Sequence, residues 1–191
     1  MGERISLEIK ETKIPGCYEI LPFVHKDHRG AFVKTYHKDD FIGHNLVTNF
    51  DEEYYSVSTK GVLRGLHFQL PPKDHTKIVY CAYGEVLDVV VDLRVGSLTY
   101  GEFINVKLSA DNAKMIYIPK GLAHGFYTIS NQAIVMYKVT TVYSPEHDAG
   151  ILWNSVGIQW PDENPIISQR DQSFPKLKDF ASPFCYRGPN E

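Results

Sequence analysis

The sequence predicts an all-β protein, a sandwich or barrel of short strands, on three observations. Aromatic residues are plentiful, with 12 Tyr and 10 Phe in 191 residues, and aromatic side chains favour strands. Ten short apolar or alternating runs are separated by Gly, Pro, Asn and Asp, the spacing of sandwiches and barrels. Helical signals are confined to one turn at 39–43 and a segment at 171–180.

The strands follow from their punctuation, taken along the chain. Pro15-Gly16 precedes a strand at 18–21, and Gly30 precedes one at 31–36. Gly61 separates a strand at 53–58 from one at 62–69, which Pro71-Pro72 closes. Gly84 divides 77–83 from 86–93. The next strands are 102–108, 114–118, 125–129 and 133–142, with Asn112, the Pro119 to Gly121 turn and Asn131 between them. The run Val86-Leu87-Asp88-Val89-Val90-Val91-Asp92 is nearly continuous in apolar residues, so it reads as a strand buried on both faces. Asp88 inside it must be paired, because an isolated buried carboxylate is costly. A single domain over 1–191 is expected, with a loose tail from about 183 to 191.

Composition narrows the function classes. Hydrophobic residues make up 43% of the chain, ordinary for a soluble globular protein. Net charge is −3, which implies no general attraction to nucleic acid or to an anionic membrane. Three cysteines, Cys17, Cys81 and Cys185, form no CxxC and no zinc spacing. With no apolar leader after Met1-Gly2-Glu3-Arg4 and no run of membrane-spanning length, the reading is a cytoplasmic protein.

The densest chemical signal is Gly61-Val62-Leu63-Arg64-Gly65-Leu66-His67-Phe68-Gln69. On a flat strand every second residue shares a face, so Arg64 and His67 would point to opposite sides. A bend at Gly65 brings both to one cavity. An arginine suits a phosphate and a histidine suits proton transfer. The plainer alternative is a satisfied core histidine. A second signal is Ile118-Pro119-Lys120-Gly121-Leu122-Ala123-His124-Gly125-Phe126, the PxGxxH arrangement of the second cupin motif. The first cupin motif supplies an HxH metal pair, and here that position reads His67-Phe68-Gln69. Two histidines without a carboxylate make a poor metal site, so the cavity reads as one re-used for acid–base chemistry. For His124 the alternative is a structural histidine. Lys77 opens an apolar strand, Tyr143 precedes Ser144-Pro145 at a strand end, and Asp171 follows Ser168-Gln169-Arg170. Either Ser168 or Asp171 suits a helix N-cap, and on the residues alone capping is the better reading of Asp171.

Together these pieces resemble the dTDP-4-dehydrorhamnose 3,5-epimerase family. The matching stretches are Asp27-His28-Arg29-Gly30, Gly61 to Gln69, Gly84 to Val89, Val91 to Arg94, Ile118 to Phe126, Tyr137-Lys138, Tyr143-Ser144-Pro145, Trp153-Asn154 and Ser168 to Asp171. The resemblance implies a cupin-type jelly roll with short C-terminal helical segments, a homodimer, no metal and no cofactor. It implies a nucleoside-diphosphate 4-keto-6-deoxy sugar as substrate. It places His67 as general base, Asp171 as its partner, Tyr143 as the acid on the opposite ring face and Lys77 beside the enolate oxygen. Arg29, Arg64, His124 and Gln69 are implied substrate contacts. The chain departs from the family at Glu52-Glu53-Tyr54-Tyr55, where a Gln-Asp-Asn-like run is usual, at Lys34, and at Asp74-His75-Thr76. These departures predict the same chemistry on another nucleotide or sugar, at C3 alone or at both carbons. The rivals are a nucleotide-sugar 3,4-ketoisomerase, a sugar-binding cupin and a metal-dependent cupin dioxygenase.

Overall fold

The computed structural model describes residues 7–188; the N-terminal Met1 to Arg4 and the last residues of the expected tail lie outside them. Thirteen strands are seen: β1 (Glu8–Glu11), β2 (Tyr18–Leu21), β3 (Phe23–Asp27), β4 (Gly30–Lys34), β5 (Glu52–Thr59), β6 (Leu63–Gln69), β7 (Lys77–Tyr83), β8 (Glu85–Asp92), β9 (Phe103–Ser109), β10 (Met115–Ile118), β11 (Leu122–Thr128), β12 (Gln132–Val139) and β13 (Asp148–Gly150). Two short helices, α1 (Lys38–Gly43) and α2 (Gln169–Gln172), and a 3-10 turn at Leu177–Asp179 complete the fold. All ten expected strands are present. The missed ones are β1, β3 and β13, each only three to five residues long, too short for a periodic pattern to mark.

A six-stranded sheet ordered β1-β2-β10-β7-β12-β5 faces a five-stranded sheet ordered β13-β6-β11-β8-β9, and β3 and β4 form a separate hairpin. The large-sheet pairings are antiparallel, and the two layers make the jelly-roll sandwich that the sequence leads one to expect. Strand alternation sorts each strand's side chains between interior and exterior. Val86 and Val90 of β8 enter the inter-sheet core with Val79, Val135, Leu122 and Phe126. Val89 and Val91 of the same strand enter a second cluster with Leu66, Phe68 and Ala123. Strand β8 is thus buried on both faces, as its composition requires. A third cluster around Ile20, Phe41, Ile78 and Met115 covers the other side of the six-stranded sheet.

The tail expected to be loose is held over residues 184–186. Phe184 is 5% exposed and joins the Leu66 and Phe68 cluster. Val95 N–H donates to Phe184 O, and Tyr186 N–H to Val95 O. The aromatic side chain found an apolar surface that the local sequence could not reveal.

Candidate active site

The interior is apolar at one end of the sandwich and polar at the other. The interior positions that hold Val79, Val135 and Phe126 in the core hold Lys77, Tyr137 and His124 one step along the same strands. These, with Arg64, His67, Gln69, His75, Tyr143 and Arg170 among others, line a cavity of about 350 Å³. Seven of the eight residues expected at the site lie in or directly behind it.

Strand β6 bends as its glycine suggests. Against β11, His67 pairs with His124 and Arg64 with Phe126, so three steps on β6 oppose two on β11. That is a β-bulge, and the extra residue turns Arg64 and His67 to the same side. Gly65 has φ +130°, and a Cβ there would lie 2.6 Å from Gly125 Cα. Only glycine fits that contact and that backbone. Arg64 is held by its Nε donating to Ser58 Oγ at 3.0 Å.

His67 Nε2 lies 2.9 Å from Asp171 Oδ1, and Gly65 N–H donates to Asp171 Oδ2 at 3.0 Å. Nε2 thus meets both the Asp171 carboxylate, which accepts, and Arg170 Nη2, which donates at 2.8 Å. Burial lowers the His67 pKa against the opposing pull of Asp171, and Arg170 and Lys77 lower it further. The imidazole is therefore neutral at neutral pH. Burial would raise the Asp171 pKa, but contact with His67 and the Gly65 N–H outweigh it and hold the carboxyl below its ordinary range. The capping role goes to Ser168, whose side chain accepts from Asp171 N–H at 3.1 Å. Asp171 is thus not the N-cap that the residues alone favoured, and its carboxylate is left for the histidine.

A second pair stands deeper. His124 Nε2 is 2.7 Å from Asp88 Oδ2, and both are almost fully buried. This is the partner that Asp88 needed. Lys77 Nζ donates to His67 O at 3.4 Å. Burial pushes the Lys77 pKa down to about 8, opposed by Asp148 and Asp88, so it is mostly cationic at neutral pH.

Two of the expected residues stand apart from the rest in this chain. Arg29 is not in this cavity: it sits on the β3–β4 hairpin, with its guanidinium exposed and tied to Asp27. Gln69 lines the cavity, yet both ends of its carboxamide are spent on protein. Its Oε1 accepts from Ser144 N–H at 2.7 Å and its Nε2 donates to Lys73 O at 2.7 Å. The sequence reading marked the Glu52 to Tyr55 run as a departure in substrate recognition, but did not single out Tyr137, Asp148 or Arg170 as site residues. Alternation along β12 contained the signal for Tyr137. Asp148 belongs to a three-residue strand, where no pattern forms. Arg170 bridges the cavity mouth, 2.5 Å from Asp148 Oδ2 and 2.8 Å from His67 Nε2. Among the described residues no group of three or more His, Cys, Asp or Glu side chains is arranged to hold a metal ion.

A jelly roll whose interior holds a histidine–carboxylate pair, a buried lysine and two phenols is a cupin-type acid–base enzyme. The chain belongs to the dTDP-4-dehydrorhamnose 3,5-epimerase family, whose model matches residues 11–179. A dTDP-4-dehydrorhamnose 3,5-epimerase of Shigella flexneri is 40% identical over 91% of this chain and 97% of its own length. A dTDP-6-deoxy-D-glucose-3,5-epimerase of Legionella pneumophila, solved in complex with dTDP-4-keto-L-rhamnose, superposes with TM-score 0.90 at 34% identity, covering 95% of this chain and all of that one. A 3′-monoepimerase of Streptomyces bikiniensis, in complex with dTDP-quinovose, superposes with TM-score 0.82 at 31% identity, over 87% of this chain and 86% of that one.

Proposed function

We propose that this chain inverts C3 and C5 of a dTDP-linked 4-keto-6-deoxy sugar by proton transfer through an enolate, in deoxysugar biosynthesis. The observation that carries the reading is the neutral His67, backed by Asp171, in one cavity with the cationic Lys77. The 4-keto group acidifies the protons on C3 and C5. The His67 imidazole removes one, and Asp171 stabilises the imidazolium that forms. General-base catalysis of this kind contributes roughly 10²–10⁴-fold. The Lys77 ammonium faces the growing charge on the ketone oxygen, a preorganised contact of about 3–4 kcal/mol. Arg64 suits the diphosphate.

Proton return needs an acid on the ring face opposite His67. The sequence points to Tyr143, whose phenol is 58% exposed at the mouth and bonds Asp148 Oδ2 at 3.3 Å. Asp148 and Arg170 tie that phenol to the His67 side. Tyr137 stands on β12, across the sandwich from β6, packed on Tyr54 at 4.8 Å and edge-on to His124. Its position favours Tyr137 as the donor, with Tyr143 as the alternative.

The same reading makes the enzyme a cytoplasmic, metal-independent homodimer. Exposed Tyr55 and Val57 on the edge strand β5 support pairing. No helix among the described residues is long and apolar enough to cross a membrane. The test is solvent deuterium incorporation from D₂O into dTDP-4-keto-6-deoxyglucose, located by NMR. Label at C3 and C5 that disappears in His67→Ala is expected. Label at C3 alone makes the chain a monoepimerase, as the Streptomyces bikiniensis likeness allows. Loss of inversion in Tyr137→Phe, with Tyr143→Phe milder, identifies the acid, and the reverse order restores Tyr143. No label on any nucleotide carrier sinks the epimerase reading in favour of a sugar-binding cupin.

A further inference from the structure

The segment 141–144 follows β12 outside any strand, yet it carries Tyr143 at the cavity mouth. Side chains from two strands hold its backbone. Gln69 Oε1 accepts from Ser144 N–H at 2.7 Å. Glu52 Oε2 accepts from Tyr143 N–H at 2.5 Å. Gln69 Nε2 reaches Val142 O at 3.4 Å and Thr141 Oγ1 at 3.3 Å, and Thr141 Oγ1 itself donates to Lys73 O at 2.9 Å. The Ser144 N–H bond settles the amide orientation, because only an oxygen accepts it. Gln69 is 4% exposed, so its own bonds lie largely out of water, where losing one partner strands the others, while the Glu52 bond lies at the exposed rim. Gln69 is also two residues from His67 on the same strand, hence on the same face.

We propose that Gln69 and Glu52 are positioning residues that clamp the backbone of Tyr143 and Ser144, so that β6 sets both the base and the place of the Tyr143 phenol. The inference rests on the epimerase reading for its kinetic consequence and on geometry alone for its structural one. As a carboxylate Glu52 only accepts, which suits a backbone N–H and not a ligand acceptor.

Two experiments separate the inference from that reading. The first needs no substrate. In protein labelled with 3-fluorotyrosine, the Tyr143 resonance is assigned by its absence in Tyr143→Phe. Gln69→Met, which keeps the length of the side chain and removes both its donor and its acceptor, should shift or broaden it in the ¹⁹F spectrum. An unchanged Tyr143 resonance in Gln69→Met overturns the clamp whatever the enzyme does. The second is kinetic, on dTDP-4-keto-6-deoxyglucose. Gln69→Met should lower kcat/KM by no more than about the factor that Tyr143→Phe does, since its effect passes through that phenol. In the Tyr143→Phe background the same change should add nothing, the signature of residues acting as a unit. Multiplying effects would show that Gln69 acts apart from Tyr143 and overturn the clamp. If Gln69→Met fails to fold, Glu52→Leu at the cavity rim reports the other half of the clamp, with Glu52→Gln as its rescue, by the same readouts.

Discussion

His67 owes its chemistry to three neighbours that lie far apart in the chain. Asp171 orients it, while burial, Arg170 and Lys77 keep it neutral. The pH dependence of turnover follows with its sign. The base works when deprotonated, and its lowered pKa keeps it so below the ordinary histidine value of about 6.5. Lys77 works when protonated, and its pKa near 8 removes the charge as pH rises through that value. The kcat/KM profile of the free enzyme should be a bell with its acid limb below pH about 6.5 and its alkaline limb near 8. Replacing Lys77 by methionine should abolish the alkaline limb; a limb that survives assigns it elsewhere. At this scale the residue types were legible in the sequence, because imidazole, ammonium and phenol announce their chemistry. Their partners were not. On the residues alone Asp171 read as a cap, since Ser168 and Asp171 both suit that position, and it was the family resemblance that set it beside His67, where the fold has it.

Strand β6 shows what one element contributes. The Gly61 to Gln69 string told of a bend, and the bulge opposite His124 and Phe126 is that bend. Gly65 and Gly125 face each other so closely that a Cβ on Gly125 would meet Arg64 O at 2.6 Å. Gly65→Ala should therefore cost about 3 kcal/mol through overpacking and positive φ. It should also lower kcat, because Arg64 and His67 would no longer converge. Thermal unfolding and steady-state kinetics check both, and wild-type kcat at reduced stability would deny the bulge its role in aligning the site. Alternation is clean along β12, where burial repeats every second residue, while β8 and β11 are buried nearly throughout and were marked by composition and turns instead. It gave no signal for β13 or β3, where a few residues leave no period.

For the whole molecule, the sandwich is one apolar interior opened at one end by polar substitutions at core-facing positions. The C-terminal segment closes its outer side. Phe184→Ala should cost about 3 kcal/mol by leaving a cavity among Leu66, Phe68 and Ala123. For a chain of this size that is a fall of roughly 6–12 °C in thermal midpoint, with turnover unchanged at assay temperature. A midpoint within a degree of wild type would mean that the segment merely lies on the surface. Local sequence by itself determined the all-β class, ten strand positions, the doubly buried β8 and the kinds of chemistry present. Those follow from propensity, turn residues and alternation, which act over a few neighbours. Tertiary structure decided that Asp88 belongs to His124 and Asp171 to His67, that Gln69 holds a loop, that Arg29 lies outside and that the tail is docked. Each of those is a contact between distant segments, and its partner is chosen by sheet order and register, which no local pattern encodes.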